Sequence, residues 1–145
     1  MDLFSSMRVS ATGLEAQMKR MNTISSNIAN AETTRTEEGT PYRREDPIFA
    51  AETDRENFSE VLDNAMDENV QGVRVVDIAR DEKPPKMVYD PNHPDANADG
   101  YVAMPNVNVV EEMANMISAQ RSYEANVTSM NAAKSMAQKA LEIGR

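Results

Sequence analysis

The residues of this chain that could do chemistry are few, and most sit in one stretch. "DANADG", residues 95–100, has the D-x-N-x-D-G spacing that opens a calcium loop. Asp95, Asn97 and Asp99 would be oxygen ligands and Gly100 the turn. Position 12 of such a loop would be Asn106, a neutral amide where a bidentate carboxylate is required, and Pro91 and Pro94 bar the usual preceding helix. An Asx-rich turn fits these residues better. His93 is the only histidine and there is no cysteine, so no histidine–cysteine metal cluster can form within one chain. The acid pairs Glu37–Glu38, Asp67–Glu68 and Asp81–Glu82 are sequence neighbours, which suits a solvated face rather than acid–base work. Serines 5, 6, 25 and 26 have no base nearby. The residues therefore point to no catalysis, no metal and no cofactor.

The bulk numbers narrow the function further. At 145 residues the chain is long enough for one ordinary domain. A net charge of −9 argues against nucleic-acid binding, which needs a basic face to neutralise phosphates. No apolar stretch approaches the roughly 20 residues of a membrane span. The start, "MDLFSSMRVS", lacks the flank and apolar run of a cleaved leader. If the protein leaves the cytoplasm, it is expected to do so without such a leader. Aromatic residues make up only 5%, with no tryptophan, so a large compact core is not expected.

The elements that must position any site fall into three segments. Residues 1–31 carry three basic and two acidic side chains, residues 106–145 carry four of each, and residues 32–105 carry eight basic and eighteen acidic. Eight of the eleven methionines lie in the two ends. The expected class is mainly α: two long terminal coiled-coil-like helices around a small, turn-rich, β-containing insert. Phe4, Met7, Ala11, Leu14, Met18, Met21, Ser25 and Ile28 alternate steps of three and four, the period of a coiled-coil seam. Val109, Met113, Met116, Gln120, Tyr123, Val127, Met130, Lys134, Ala137 and Leu141 do the same, flanked by Val110, Ile117, Met136 and Ala140. Asn108 is the expected N-cap, with Glu111 at capping-box spacing and Gly144 suited to the C-cap. "VRVVDIAR", 73–80, reads as a strand, with shorter candidates at 86–90 and 101–104. "NFSEVLDNAM", 57–66, spaces its apolar residues like a short helix.

The first arm holds eleven Ser, Thr, Asn or Gly between residues 2 and 31, a composition that does not sustain a helix alone. Small residues let helices approach closely, and the flanking apolar positions imply contact on more than one side. The arms read as helices that need several neighbours, supplied in part by other chains.

Two stretches then carry a family likeness. "SSNIANAETT", 25–34, and "NVNVVEEMANMISAQRSYEANVTSMNAAKSMAQKAL", 106–141, resemble the bacterial flagellar axial proteins: the rod, hook and hook-associated subunits. "VYDPNHPDANADGYVAMPNVNVVEEM", 88–113, is similar to the small subunits of the proximal rod. The chain departs from the common pattern after Asn30, with Thr33-Thr34-Arg35 and a later "PYRR" at 41–44. The resemblance implies export through the flagellar type III apparatus, residence in the basal body at the periplasm or wall zone, and partners that are other rod subunits and copies of itself. It also implies termini that order on polymerisation and a rod that transmits torque.

The assembly interface is accordingly expected at Phe4, Met7, Leu14, Met18, Met21, Asn27, Ile28 and Asn30 on the first arm. On the second it is expected at Val109, Met113, Met116, Ile117, Arg121, Tyr123, Val127, Met130 and Leu141. Asn27 and Asn30 are expected to bond groups on adjoining helices and so select register. Arg121 either snorkels or pairs with a carboxylate of a neighbouring chain, or it pairs with Glu124 on its own helix or stays exposed. A second reading is a soluble coiled-coil adaptor or chaperone that binds one partner helix. A third is a calcium-regulated binding module.

Overall fold

The computed structural model describes residues 3–52 and 71–143. The order is α1 (Leu3–Ala29), β1 (Glu45–Glu52), β2 (Gly72–Arg80), β3 (Lys86–Tyr89), β4 (Tyr101–Met104) and α2 (Val109–Ile143). The two terminal helices and the small antiparallel insert match the class expected from the sequence. The short helix expected at 57–66 and the C-cap expected at Gly144 lie outside the described residues.

The hydroxyls among the poor helix formers of α1 are satisfied within the helix. Ser10 Oγ donates to the Ser6 carbonyl at 3.0 Å, Thr12 Oγ1 to Val9 at 2.9 Å and Thr23 Oγ1 to Lys19 at 3.1 Å. None is left seeking a partner in the interior. α2 begins where Asn108 Oδ1 accepts the Val110 N–H at 3.2 Å, as an N-cap should. It runs for 35 residues, or about 52 Å.

The helices form an antiparallel hairpin. Asn27 meets Glu112 and Gly13 meets Asn126, so fourteen residues back along α1 correspond to fourteen forward along α2. The faces in contact are small and polar. Ser10, Ala16, Thr23, Ile24 and Asn27 are buried on α1, and Glu112, Ala119 and Ala133 on α2. A Cβ at Gly13 would stand 2.8 Å from Asn126 Nδ2, so the approach at that point is set by the missing side chain.

This stripe is displaced from the periodic seam of large apolar residues. On α1, Ala11, Met18 and Ser25 face solvent; on α2, Val109, Met113, Gln120, Lys134 and Leu141 do. The reason is distance. Alanine, serine and glycine let the backbones close in, and the bulkier methionines and leucine are turned aside.

β1 and β2 pair in antiparallel register from Glu45↔Arg80 to Glu52↔Gly72, with a shift between Ile48 and Phe49 that leaves Val76 as the extra residue. β1 was not legible in the sequence: Pro47 demotes a strand, and is tolerated here on a two-stranded ribbon. The ribbon leans on α1, where the Val73 N–H donates to Thr12 Oγ1 at 3.2 Å.

β3 and β4 form a second hairpin, Lys86↔Met104 to Tyr89↔Tyr101, at the positions expected. Its loop holds the "DANADG" run. Asn97 Oδ1 accepts the N–H groups of Asp99 at 3.0 Å and Tyr101 at 2.8 Å, and Gly100 takes φ 79°. These side chains close an Asx turn. Asp95 accepts Thr34 Oγ1 at 2.8 Å, and half-buried His93 accepts the Asp95 N–H through Nδ1 at 3.1 Å. Among the described residues no three His, Cys, Asp or Glu gather as a metal site, and no helix is long and apolar enough to cross a membrane.

Candidate functional site

The most ordered chemistry in the molecule is a polar junction where α1 ends, β1 begins and α2 begins. Asn27 is at its centre and is fully buried. Its Nδ2 donates to the Glu45 carbonyl at 2.8 Å and to Glu112 Oε2 at 3.2 Å. Its Oδ1 accepts the Tyr42 hydroxyl at 2.9 Å and the Glu45 N–H at 2.9 Å. Both donors and both lone pairs are used, which is the full capacity of an amide. Glu45 offers its N–H and its carbonyl together, as a neighbouring strand would, so only one orientation of the amide fits.

Glu112 is the second buried polar group, with its side chain 1% exposed. Arg44 Nε donates to Glu112 Oε1 at 2.8 Å, and Arg44 Nη1 donates to Asp46 Oδ2 at 3.2 Å. Burial works against the Arg44 charge, but the bonds to Glu112 and Asp46 outweigh it and hold the guanidinium above its ordinary range. Burial also raises the Tyr42 hydroxyl above its usual value, and the Glu45 and Glu112 carboxylates add to that.

Beside the junction lies a cleft of about 390 Å³ lined by Arg20, Arg44, Lys83, Asp46, Asp81 and Glu111 among others. Cations and acids are evenly matched there. Asp81 is held below its usual range, chiefly by the Lys83 N–H, with the Lys83 and Arg44 charges adding to it.

Asn27 therefore directs its hydrogen bonds to its own chain. Its bond to Glu112 is to the adjoining helix α2, and the fold brings the Glu45 backbone to its other side. Asn30 is also internal: Nδ2 donates to the Ser26 carbonyl at 2.9 Å, and Oδ1 accepts Thr33 Oγ1 at 3.2 Å. It caps the last turn of α1. Sequence reasoning missed Tyr42, Arg44 and Glu112. The one signal was Glu112 itself, an acid set in step with Met116, Ala119 and Tyr123 where a core residue would stand.

The remaining expected interface residues divide by exposure. Met7, Leu14, Met21, Ile28, Met116, Tyr123, Val127 and Met130 are half-buried along the flanks of the hairpin. Met18 and Val109 are exposed, and Arg121 is exposed with no carboxylate in ion-pair reach among the described residues. Phe4 lies on α1, but its side chain is outside the described part. Val110, Met113 and Ile117 are 76%, 55% and 53% exposed and lie on successive turns of one face of α2. Solvent is an unusual place for an unbroken apolar face.

Comparison with known proteins supplies the decisive observation. The chain is 49% identical to the flagellar basal-body rod protein FlgC of Borreliella burgdorferi, over 99% of this chain and 98% of that one. It is 47% identical to FlgC of Bacillus subtilis over the whole of both chains, and 39% identical to FlgC of Salmonella typhimurium, again over both in full. The chain belongs to the FlgC family of flagellar basal-body rod proteins.

FlgC proteins are structural rod subunits and not enzymes, so the basal body is the place of this chain. Two family descriptions match its ends: "Flagella basal body rod protein" over residues 7–35, and "Flagellar basal body rod FlgEFG protein C-terminal" over residues 98–143. Both terminal matches include a wall of the junction, Asn27 in the first and Glu112 in the second. In this FlgC-family chain the polar junction ties the end of α1 to the start of α2, and Val110, Met113 and Ile117 stand exposed on the outer face of α2.

Proposed function

We propose that the protein is a subunit of the proximal rod that self-assembles through its terminal helices into a tubular drive shaft carrying motor torque. Its neighbours are copies of itself and other rod subunits, and the type III export apparatus delivers it. The observation that carries this reading is the division of labour on α2. The face against α1 is small and polar, while Val110, Met113 and Ile117 stand outside in solvent. Covering those three would contribute on the order of 5 kcal/mol, enough to order helices that are weak by composition. Binding and ordering are then coupled.

The test replaces the outer face without touching the junction. A variant carrying Val110→Ser, Met113→Ser and Ile117→Ser should be exported yet build few rods, so that swarming in soft agar is lost. Normal swarming and wild-type basal-body yield would contradict the proposal. An adaptor would instead form a discrete complex of fixed small stoichiometry on sedimentation.

A further inference from the structure

The outer face of the β3–β4 hairpin is apolar and uncovered. Strand alternation puts Met87, Tyr89, Tyr101 and Ala103 on one side, with Val88 and Val102 on the other. Val102 is fully buried, whereas Met87, Tyr89 and Tyr101 are 53%, 64% and 43% exposed. No other helix or strand among the described residues packs closely against the hairpin. The two rings are nonetheless held in place. Their centroids are 5.3 Å apart and their planes meet at 66°, edge against face. A Cβ on Gly100 would stand 2.9 Å from Tyr89 Cε2, so the glycine lets that ring lie against the turn.

The surroundings of the rings are predominantly acidic. Residues 87–108 include Asp90, Asp95 and Asp99 and no lysine or arginine. All three aspartates are exposed, and none forms an ion pair among the described residues. The connecting stretch that Asp95 meets at Thr34 adds Glu32, Glu37 and Glu38 against Arg35. Lys86 falls on the opposite face of β3 from Tyr89.

We propose that this hairpin face docks an arginine-bearing segment of a protein other than this chain. A guanidinium stacks on an open tyrosine ring, drawn by the negative ring face. Its planar fork of donors then reaches the aspartates of the adjoining loop. A second copy of the chain is disfavoured, because each carries −9 and would bring the same acids to the contact. Rings at 66° make a corner and not the flat platform on which a sugar ring stacks. The contact is separate from the helical assembly proposed above and does not depend on it.

The probe is the peptide Gly-Arg-Gly-Gly-Arg-Gly, titrated into the purified full-length chain and followed by NMR. The ring signals of Tyr89 and Tyr101 should shift and saturate. Replacing both arginines of the peptide by citrulline, which keeps the shape without the charge, should weaken binding several-fold. Tyr89→Phe with Tyr101→Phe should bind as the wild type does, whereas Tyr89→Leu with Tyr101→Leu, apolar but without ring faces, should not. Absent ring shifts, equal binding of the citrulline peptide or full binding by the leucine variant would overturn the proposal. Saturating ring shifts with an oligomer of N-acetylglucosamine in place of the peptide would overturn it as well. In cells, p-benzoylphenylalanine placed at Met87 should cross-link to an arginine-bearing peptide of a different protein, and cross-links confined to copies of this chain would count against it.

Discussion

Asn27 and Glu112, 85 positions apart in the chain, share a 3.2 Å hydrogen bond inside the protein. The bond joins the last turns of α1 to the first turn of α2 and fixes how far one helix can slide along the other. A one-turn slip would part Glu112 from both Asn27 and Arg44 and leave a buried carboxylate uncompensated. That penalty selects a single register, which small, smooth helix faces would not do alone. A shaft under torque needs such uniqueness.

Asn27→Leu should therefore be costly even though leucine suits a helix. It removes the partner of Glu112 Oε2 and of both the Glu45 N–H and carbonyl. A loss of about 2–4 kcal/mol is expected, seen as dissociation of isolated basal bodies at lower urea and as reduced swarming. A variant with wild-type urea resistance would show that the network contributes nothing.

The Arg44–Glu112 pair makes a sharper comparison. Arg44→Met leaves a buried carboxylate uncompensated and should cost about 3–5 kcal/mol. Adding Glu112→Gln to it removes the charge and should recover part of that loss. A double variant no better than Arg44→Met alone would remove the buried charge as the cause.

Tyr42 gives a pH signature. Its folded-state pKa is raised above the ordinary 10.0, so its contribution is complete below about 10 and is lost as pH climbs through the folded value. Tyr42→Phe should cost about 1 kcal/mol near neutrality, since Asn27 loses a donor. Phenylalanine does not ionise, so the gap between variant and wild type should narrow above pH 10. Urea dissociation of basal bodies across that range checks it, and a constant gap would refute it.

Gly13 tests the close approach of the helices. A methyl there meets the tip of Asn126 at 2.8 Å, an atom at the end of a side chain, so a small shift relieves Gly13→Ala. Helix propensity returns about 1 kcal/mol, and the variant should be near neutral. Gly13→Leu has no such relief and should wedge the hairpin apart, abolishing swarming. Equal behaviour of the two variants would mean the helices do not meet there.

The legible parts of the fold were those with a periodic signal. Both helices, the capping role of Asn108 and the strands at 73–80, 86–90 and 101–104 follow from spacing and turn residues. β1 was hidden by Pro47 and its acidic ends. The junction was legible only in half. Asn27 stood out as a polar residue in a core stripe, but its partners converge only once the start of β1 folds back against the end of α1 and α2 packs beside it. The seam did not reveal which residues join the two helices, because large apolar residues at heptad spacing dominate the pattern. Alanine, serine and glycine, with Ile24, make the closest contact, and the large seam residues lie half-buried or exposed beside it.

The exposed apolar face of α2 is the centre of the account, and cysteine accessibility tests it most directly. Ile117→Cys should react rapidly with a soluble maleimide in the purified, unassembled chain and become protected in isolated basal bodies. Equally fast labelling in both states would mean that no neighbour covers this side of α2, and the assembly proposed for it would be wrong.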